Sequence, residues 1–345
     1  MSVSFLSTAT PDPAARGMVT VPSSRSPWAV PGFVSRCRKA GATVFGRPPP
    51  ALNRAPYAPT DMLGATRVTA VGDTTIAWTE LGEGEPLVLL HGLGDSHRTW
   101  RHAARRLARS CRVIMPDLPG HGLSGRPDAP YTLNWYANTM LSWMSKLDIP
   151  HAHLCGHSFG GGVAQWMLLA AHERVDTLAL VAAGGLGPEV ALGVRIAAFP
   201  ILGRLLTQPL MGVGTWVMMK HGGGPVLQSE SWEVARSVWM NRAPGTGRAF
   251  RRTVVGCMNL QGQHQQTWTH IHKVPRLPPT LVFWGDNDSI LPVKHCLDAR
   301  LRIQGARIII YSGCGHFLQL ERAEQFAFEL ADFIKYPPPS PVLLG

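Results

Sequence analysis

The sequence predicts one large α/β domain: a mostly parallel, twisted sheet with helices on both faces, interrupted by a helical insertion. Three observations predict it. From residue 87 onward, short unbroken apolar runs alternate with segments of helical periodicity, the pattern of parallel strands covered on both sides. A G-x-S-x-G pentapeptide, Gly156-His157-Ser158-Phe159-Gly160, stands where one such run gives way to a helix. Finally, 45% of the 345 residues are apolar and only 16% charged, which supports a sizeable buried core.

The elements follow in order. Arg67–Ala70 and Thr74–Thr79 read as a hairpin turning at Gly72-Asp73. Leu87–Leu90 is a strand, Trp100–Leu107 helical, Arg112–Met115 a strand and Leu133–Leu147 an amphipathic helix. His153–Cys155 is a strand, Gly161–Ala171 a helix and Thr177–Ala182 a strand. Thr280–Phe283 and Ala306–Tyr311 are strands, and Val293–Ile303 and Ala323–Ile334 are helices. The chain thus divides into a Pro- and Arg-rich tail (1–60), a first core segment (61–183), a helical insertion (184–273), a second core segment (274–336) and a Pro-rich C-terminal tail (337–345).

The tail holds ten prolines in its first 60 residues and is expected to be mostly disordered. Its Arg- and Ser-rich, acid-poor character overlaps with organelle transit peptides, although the prolines spoil an amphipathic helix. The start lacks the charged, then apolar, pattern of a secretory signal, and a cytoplasmic location is expected. The longest apolar region, Val190 to Met219, is cut by Pro200, Pro209, Arg195 and Arg204, so no membrane span is expected. The six cysteines, Cys37, Cys111, Cys155, Cys257, Cys296 and Cys314, form no close pair and suit a reducing compartment.

The net charge is +11. Residues 1–60 carry seven Lys/Arg and one acid, residues 186–273 carry nine and three, and the rest is nearly neutral. With no recognisable nucleic-acid module, this distribution argues against a nucleic-acid partner. A solvated face is the commonest reading of such charge, and an anionic substrate or weak association with a membrane surface through the tail or the insertion is the functional one.

The chemistry converges on the strand ends. Ser158 sits in a tight strand-to-helix turn that exposes its hydroxyl, with glycines leaving room on either side. A serine hydroxyl needs a base. His316, in the loop after the last strand, stands at the right edge of the sheet. The base needs an acid to fix its tautomer, and the loop after Phe283 offers two, Asp286 and Asp288. Asp288, further into the loop, reaches the histidine more easily, while Asp286 suits a turn cap. The order Ser158, Asp288, His316 is the Ser…Asp…His order expected of such a fold. Oxyanion donors are expected at the backbone N–H of Phe159 and of Leu93, the latter in the glycine-containing loop His91-Gly92-Leu93-Gly94. His91, Trp284 and Phe317 are candidate pocket residues, with bracing of the loop the more ordinary role for His91. Asp117-Leu118-Pro119-Gly120-His121-Gly122-Leu123-Ser124 reads as a turn-rich loop without chemistry.

Taken together, HGLG at 91–94, DLPGHGLS at 117–124, GHSFGG at 156–161, WGDND at 284–288 and GCGHF at 313–317 resemble the α/β-hydrolase superfamily over about residues 66–336. The capped branch it resembles includes esterases, lipases, carbon–carbon bond hydrolases and cofactor-free haloperoxidases. The resemblance implies the α/β-hydrolase fold with the insertion as a cap, and a Ser-His-Asp triad. Haloalkane dehalogenases and epoxide hydrolases place an aspartate where Ser158 stands. Ring-cleavage carbon–carbon hydrolases usually flank the serine with Asn and Met, where this chain has His157 and Phe159.

The expected activity is hydrolysis of a small hydrophobic ester through an acyl-enzyme, without metal or organic cofactor. The insertion's Trp216, Met218, Met219, Trp232, Trp239, Met240 and Trp268 suit an apolar acyl or alkyl group, although more than half would serve the insertion's own core. Carbon–carbon hydrolysis or acyl transfer by the same residues is the alternative. A hydrolase-fold protein used only for binding is the alternative of another class.

Overall fold

The computed structural model describes residues 18–21, 63–222, 226, 229–340 and 342–343. The sheet strands are β1 (Met18–Val21), β2 (Arg67–Val71), β3 (Thr74–Leu81), β4 (Pro86–Leu90), β5 (Arg112–Pro116), β6 (Ala152–His157), β7 (Val175–Val181), β8 (Thr280–Gly285) and β9 (Arg307–Tyr311). Their spatial order is β1-β9-β8-β7-β6-β4-β5-β3-β2. Only the β2–β3 and β3–β5 pairings are antiparallel; the others are parallel.

Every residue of β6 and of β8 is buried. A strand buried at successive positions is covered on both faces, because neighbouring side chains point to opposite sides. The main helices are α1 (Leu133–Lys146), α2 (Phe159–Ala170), α3 (Pro200–Gly222), α4 (Ser231–Asn241), α5 (Thr246–Cys257), α6 (Lys294–Arg302) and α7 (Ala323–Lys335). Thr132 caps α1, its hydroxyl accepting from the Trp135 N–H.

The expected hairpin forms, with Val71 facing Thr74 across Gly72, whose φ is 53°. The expected helix at Trp100–Leu107 does not. A 3₁₀ turn, His97–Trp100, and a single α turn, Ala104–Leu107, stand there instead. The break falls at Arg101 and His102, whose side chains reach out to Glu230 of the insertion. Apart from Met18–Val21, the tail expected to be disordered lies outside the described residues, as does Cys37. The other five cysteines are buried free thiols. In the C-terminal tail, Val342–Leu343 pairs with Ile303–Gln304.

The insertion is helical, with α3 packing against α4 and α5. Among the described residues no helix is long and apolar enough to cross a membrane. The parallel strands bring the loops after β4, β6, β7, β8 and β9 to one edge of the sheet, the carboxyl edge where such sheets bind ligands.

Candidate active site

Ser158 occupies the turn between β6 and α2 at φ 52° and ψ −119°, a left-handed conformation that a serine adopts only under constraint. Its N–H donates to the Val181 carbonyl (2.9 Å), and its own carbonyl accepts from Gly184 N–H (2.9 Å). The flanking glycines are steric requirements. A Cβ on Gly156 would collide with the Gly160 carbonyl oxygen, and one on Gly160 with the carbonyl oxygens of Leu90 and His91. The side chain sits half-buried at the start of α2, where the unpaired N–H groups and the dipole of a helix favour negative charge.

His316 lies in the loop after β9, and its Nδ1 is 2.7 Å from Asp288 Oδ2. Both side chains are buried. The other Asp288 oxygen accepts from Ile290 N–H (2.8 Å) and Leu291 N–H (2.9 Å). Those bonds fix the carboxylate, so it orients the ring and sets the tautomer with the proton on Nδ1 and a lone pair on Nε2. Asp286 plays a different part: its Oδ1 accepts from Gly313 N–H (2.7 Å), joining the loops after β8 and β9. His157 stands behind the base, its Nε2 bonded to the His316 carbonyl (2.9 Å). Burial and the neighbouring His316 hold His157 well below the usual histidine range, so it is a neutral donor.

Ser158, Phe159, Leu93, His316 and Phe317 line one cavity of about 80 Å³. Among the described residues, neither the Leu93 nor the Phe159 backbone N–H has a hydrogen-bond acceptor. The glycine before Leu93 allows the loop to approach: a Cβ on Gly92 would stand 3.3 Å from Ser158 Cβ and 3.0 Å from His157 Nδ1. The next residues are held from the insertion, where Asn241 Nδ2 donates to the Gly94 carbonyl (2.5 Å).

Two expected pocket residues are not there. His91 is fully buried and braces two loops, with Nδ1–H donating to the Gly92 carbonyl (2.8 Å) and Nε2 accepting from Leu118 N–H (2.8 Å). Burial pushes it down to about 4, which keeps that acceptor available. Trp284 is also fully buried, and its indole N–H holds the Leu291 carbonyl (3.0 Å), tying down the Asp288 loop from behind. Both side chains point into the core from strand ends whose loops face the site.

The loop 117–124 is structural and more ordered than its turn-rich sequence suggests. Asp117 accepts from the His97 backbone N–H (2.7 Å), the His97 ring (2.8 Å) and Leu123 N–H (2.7 Å). Burial alone would raise its carboxyl, but His97 and these bonds outweigh it and hold it far below the usual range. A Cβ on Gly122 would strike this carboxylate.

The insertion supplies the rest of the wall, including Val194, Met218, Phe250 and Met258. Of the insertion's Trp and Met residues singled out in the sequence whose side chains are described, Met218 alone lines the cavity. Met219 and Met240 are buried elsewhere, Trp232 lies under the Arg98 guanidinium (5.1 Å) and Trp216 is exposed. The side chain of Trp268 lies outside the described residues. Sequence reasoning passed over Asp95, a half-buried carboxyl on the cavity wall that burial raises to about 6. Among the described residues no cluster of His, Cys, Asp and Glu is arranged to hold a metal.

Known proteins share this architecture. The family model described as the alpha/beta hydrolase family matches residues 87–330. An uncharacterized protein of Mycobacterium tuberculosis is 34% identical over 243 residues, covering 68% of this chain and 71% of its own. The dihydrolipoyllysine-residue acetyltransferase component of the acetoin cleaving system of Pseudomonas putida is 31% identical over 274 residues, covering 79% of this chain and 70% of its own. Among solved structures, a meta-cleavage product hydrolase from Pseudomonas fluorescens IP01 matches with a TM-score of 0.62 and 25% identity, covering 79% of this chain and 98% of that one.

Proposed function

The chain belongs to the alpha/beta hydrolase family, and from that premise we propose that it is a serine hydrolase that cleaves a carboxylic ester with a hydrophobic acyl or alkyl group. One observation carries the reading: His316, bonded through Nδ1 to Asp288 at 2.7 Å, lines the same largely apolar cavity as Ser158.

The steps follow from the positions. Nε2 of His316 takes the Ser158 proton as Oγ attacks the ester carbonyl. The oxygen of the tetrahedral intermediate takes up the negative charge and lies against the Phe159 and Leu93 N–H groups, which need no reorganisation to receive it. The imidazolium, stabilised by Asp288, protonates the departing alkoxide. Water, deprotonated by the same nitrogen, then attacks the acyl-enzyme and regenerates Ser158. Losing one oxyanion donor typically removes about 3–4 kcal/mol of transition-state stabilisation.

The relatives favour a second reading with the same residues, carbon–carbon bond hydrolysis or acyl transfer, since a meta-cleavage product hydrolase and an acetyltransferase component are among the similar proteins. His157 and Phe159 around the serine tell against the first of these. Product analysis with an ester and with a vinylogous diketone separates the readings. The test of the shared chemistry is covalent labelling by a fluorophosphonate probe. Wild type should label and Ser158→Ala should not; an unlabelled wild type, or equal labelling of the variant, removes the enzymatic reading.

A further inference from the structure

The outer face of α3 is apolar in a way that core packing does not explain. Every exposed position of this helix whose side chain is described carries an apolar residue or glycine. The large ones are Ile201, Leu205, Leu210, Val213, Trp216 and Val217, with Ile201 76%, Leu205 65% and Val213 59% exposed. Ile201, Leu205, Pro209 and Val213 follow one another at intervals of four, which sets them along a single stripe. Leu192 and Phe199, in the segment leading into the helix, are exposed as well. A contiguous apolar face of this size on a water-soluble surface marks a docking site.

The charge around it identifies the occupant. Residues 186–273 contain nine Lys/Arg and only three carboxylates, Glu189, Glu230 and Glu233. All three are paired with cations of the core: Glu230 with Arg101 and His102, Glu233 with Arg98, and Glu189, itself exposed, with Lys294 and His295. The surface that carries the stripe is therefore cationic. Beside it, Thr207 and Gln208 of the same helix border a recess of about 760 Å³ lined by Arg126, Arg248, Arg251 and Arg252, the last paired with Asp128. An apolar stripe with arginines at its flank matches a bilayer surface containing anionic lipids, with the stripe among the acyl chains and the arginines at headgroup level. The same charge disfavours two other occupants. A second copy would bring two cationic faces together, and residues 1–60 carry their own excess of six positive charges.

The stripe is also continuous with the site. A second cavity, of about 500 Å³, opens between Leu210 and Val217 of α3, and it shares Val194, Met218, Phe250 and Ile290 with the cavity of Ser158. From these observations we infer that the exposed face of α3 docks on an anionic membrane surface and presents the mouth of this apolar passage to the lipid. The docking is independent of the hydrolytic reading. The delivery of a lipid-derived chain to Ser158 rests on it.

Co-sedimentation of the full-length chain, as Ser158→Ala to leave lipid intact, separates the two. Phosphatidylcholine vesicles containing roughly 30% phosphatidylglycerol should bind it, with binding falling as salt rises, and pure phosphatidylcholine should bind it less. The triple variant Ile201→Glu, Leu205→Glu, Val213→Glu should bind the anionic vesicles about tenfold more weakly or worse. With Ser158 present, the same triple variant should hydrolyse a short soluble ester as the unsubstituted chain does, which shows that it folds. The inference is overturned if the parent does not bind anionic vesicles, or if the triple variant binds them equally well. It is likewise overturned if removal of residues 1–60 abolishes binding while the triple substitution does not. A concentration-dependent dimer that the triple substitution dissolves would assign the face to a second copy instead.

Discussion

The two sides of the cavity are built on opposite principles. On the core side, each residue of the proposed triad is held by directional bonds: Ser158 through Val181, His316 through Asp288 and His157, Asp288 through the N–H groups of Ile290 and Leu291. On the insertion side the wall is mainly apolar, with Val194, Met218, Phe250 and Met258; Gln263, bonded to Gly185 N–H (2.9 Å), and Gln265 are its polar members. Hydrogen bonds fix both distance and direction, whereas apolar contacts constrain volume and shape without a preferred direction. The difference separates a hydrogen-bonded side around Ser158, His316 and Asp288 from a mainly apolar insertion side, and the predictions test that division.

The largest effect should come from the core side. Asp288→Asn keeps an oxygen for the backbone donors of the loop but can present an N–H toward His316 Nδ1, which favours the wrong tautomer. A loss of roughly 10⁴ in kcat is expected, with little change in KM. Asp286→Asn keeps the Gly313 contact and should leave kcat within a few-fold. Steady-state kinetics on one ester decide this, and a reversed ranking would assign the acid to Asp286.

The second effect tests how firmly the insertion is anchored. Arg98 and Glu233 form a buried pair with Nε and Oε2 2.9 Å apart. Glu233→Ala removes a buried carboxylate partner of the guanidinium and should cost about 3 kcal/mol of stability. Glu233→Gln, which keeps one acceptor, should cost less. Urea unfolding followed by circular dichroism measures both. A loss below 1 kcal/mol for the alanine variant would mean that the insertion is held mainly by apolar packing.

The same division sets what could be read from the sequence. The placement of Ser158, Asp288 and His316 was legible because an apolar run followed by a glycine-rich turn fixes a residue at a strand end, and parallel strands put those ends on one edge. Position in a motif does not fix the direction of a side chain. His91 and Trp284 stand in the right segments yet point inward, where His91 meets Leu118 N–H and Trp284 the Leu291 carbonyl. Asp95 was overlooked because its burial depends on residues far along the chain, such as Met218 and Phe317 on the same recess. The stripe on α3 was illegible for a third reason. Its buried positions, Met211 and Met219 but also Thr215, are no more apolar than its exposed ones, so periodicity alone could not tell one side from the other.

Asp95 gives a third prediction, at the seam between the two sides. Burial raises its carboxyl to about 6 from an ordinary 3.8. The folded state therefore prefers the neutral form. The cost of ionising it begins as pH rises through the unfolded value near 4, and it is complete above the folded value near 6. A shift of this size corresponds to at most about 3 kcal/mol, and partial exposure reduces the expectation to about 1–2 kcal/mol. Asp95→Asn keeps an oxygen for the Ser96 N–H that Asp95 Oδ1 accepts at 2.8 Å. It should stabilise the chain more at pH 8 than at pH 5. Equal gains at both pH values would mean that the carboxyl is already ionised at pH 5 in the fold.

The smallest expected effect bears on the insertion side. Met218 belongs to both the Ser158 cavity and the larger apolar cavity beyond it. Met218→Trp adds bulk at the junction while keeping the wall apolar, so it should narrow the passage without touching Ser158, His316 or Asp288. In a p-nitrophenyl ester series, kcat/KM for acetate should hold, and that for octanoate and longer chains should fall about tenfold, equivalent to about 1.4 kcal/mol. A bulky side chain in a packed wall can also displace its neighbours, so a thermal melt accompanies the series. An even loss across all chain lengths with an unchanged melt would place the acyl chain elsewhere and leave the passage without a part in selectivity. A loss confined to long chains would show that the insertion selects substrate by apolar volume alone, while the core side sets the rate for every ester that fits.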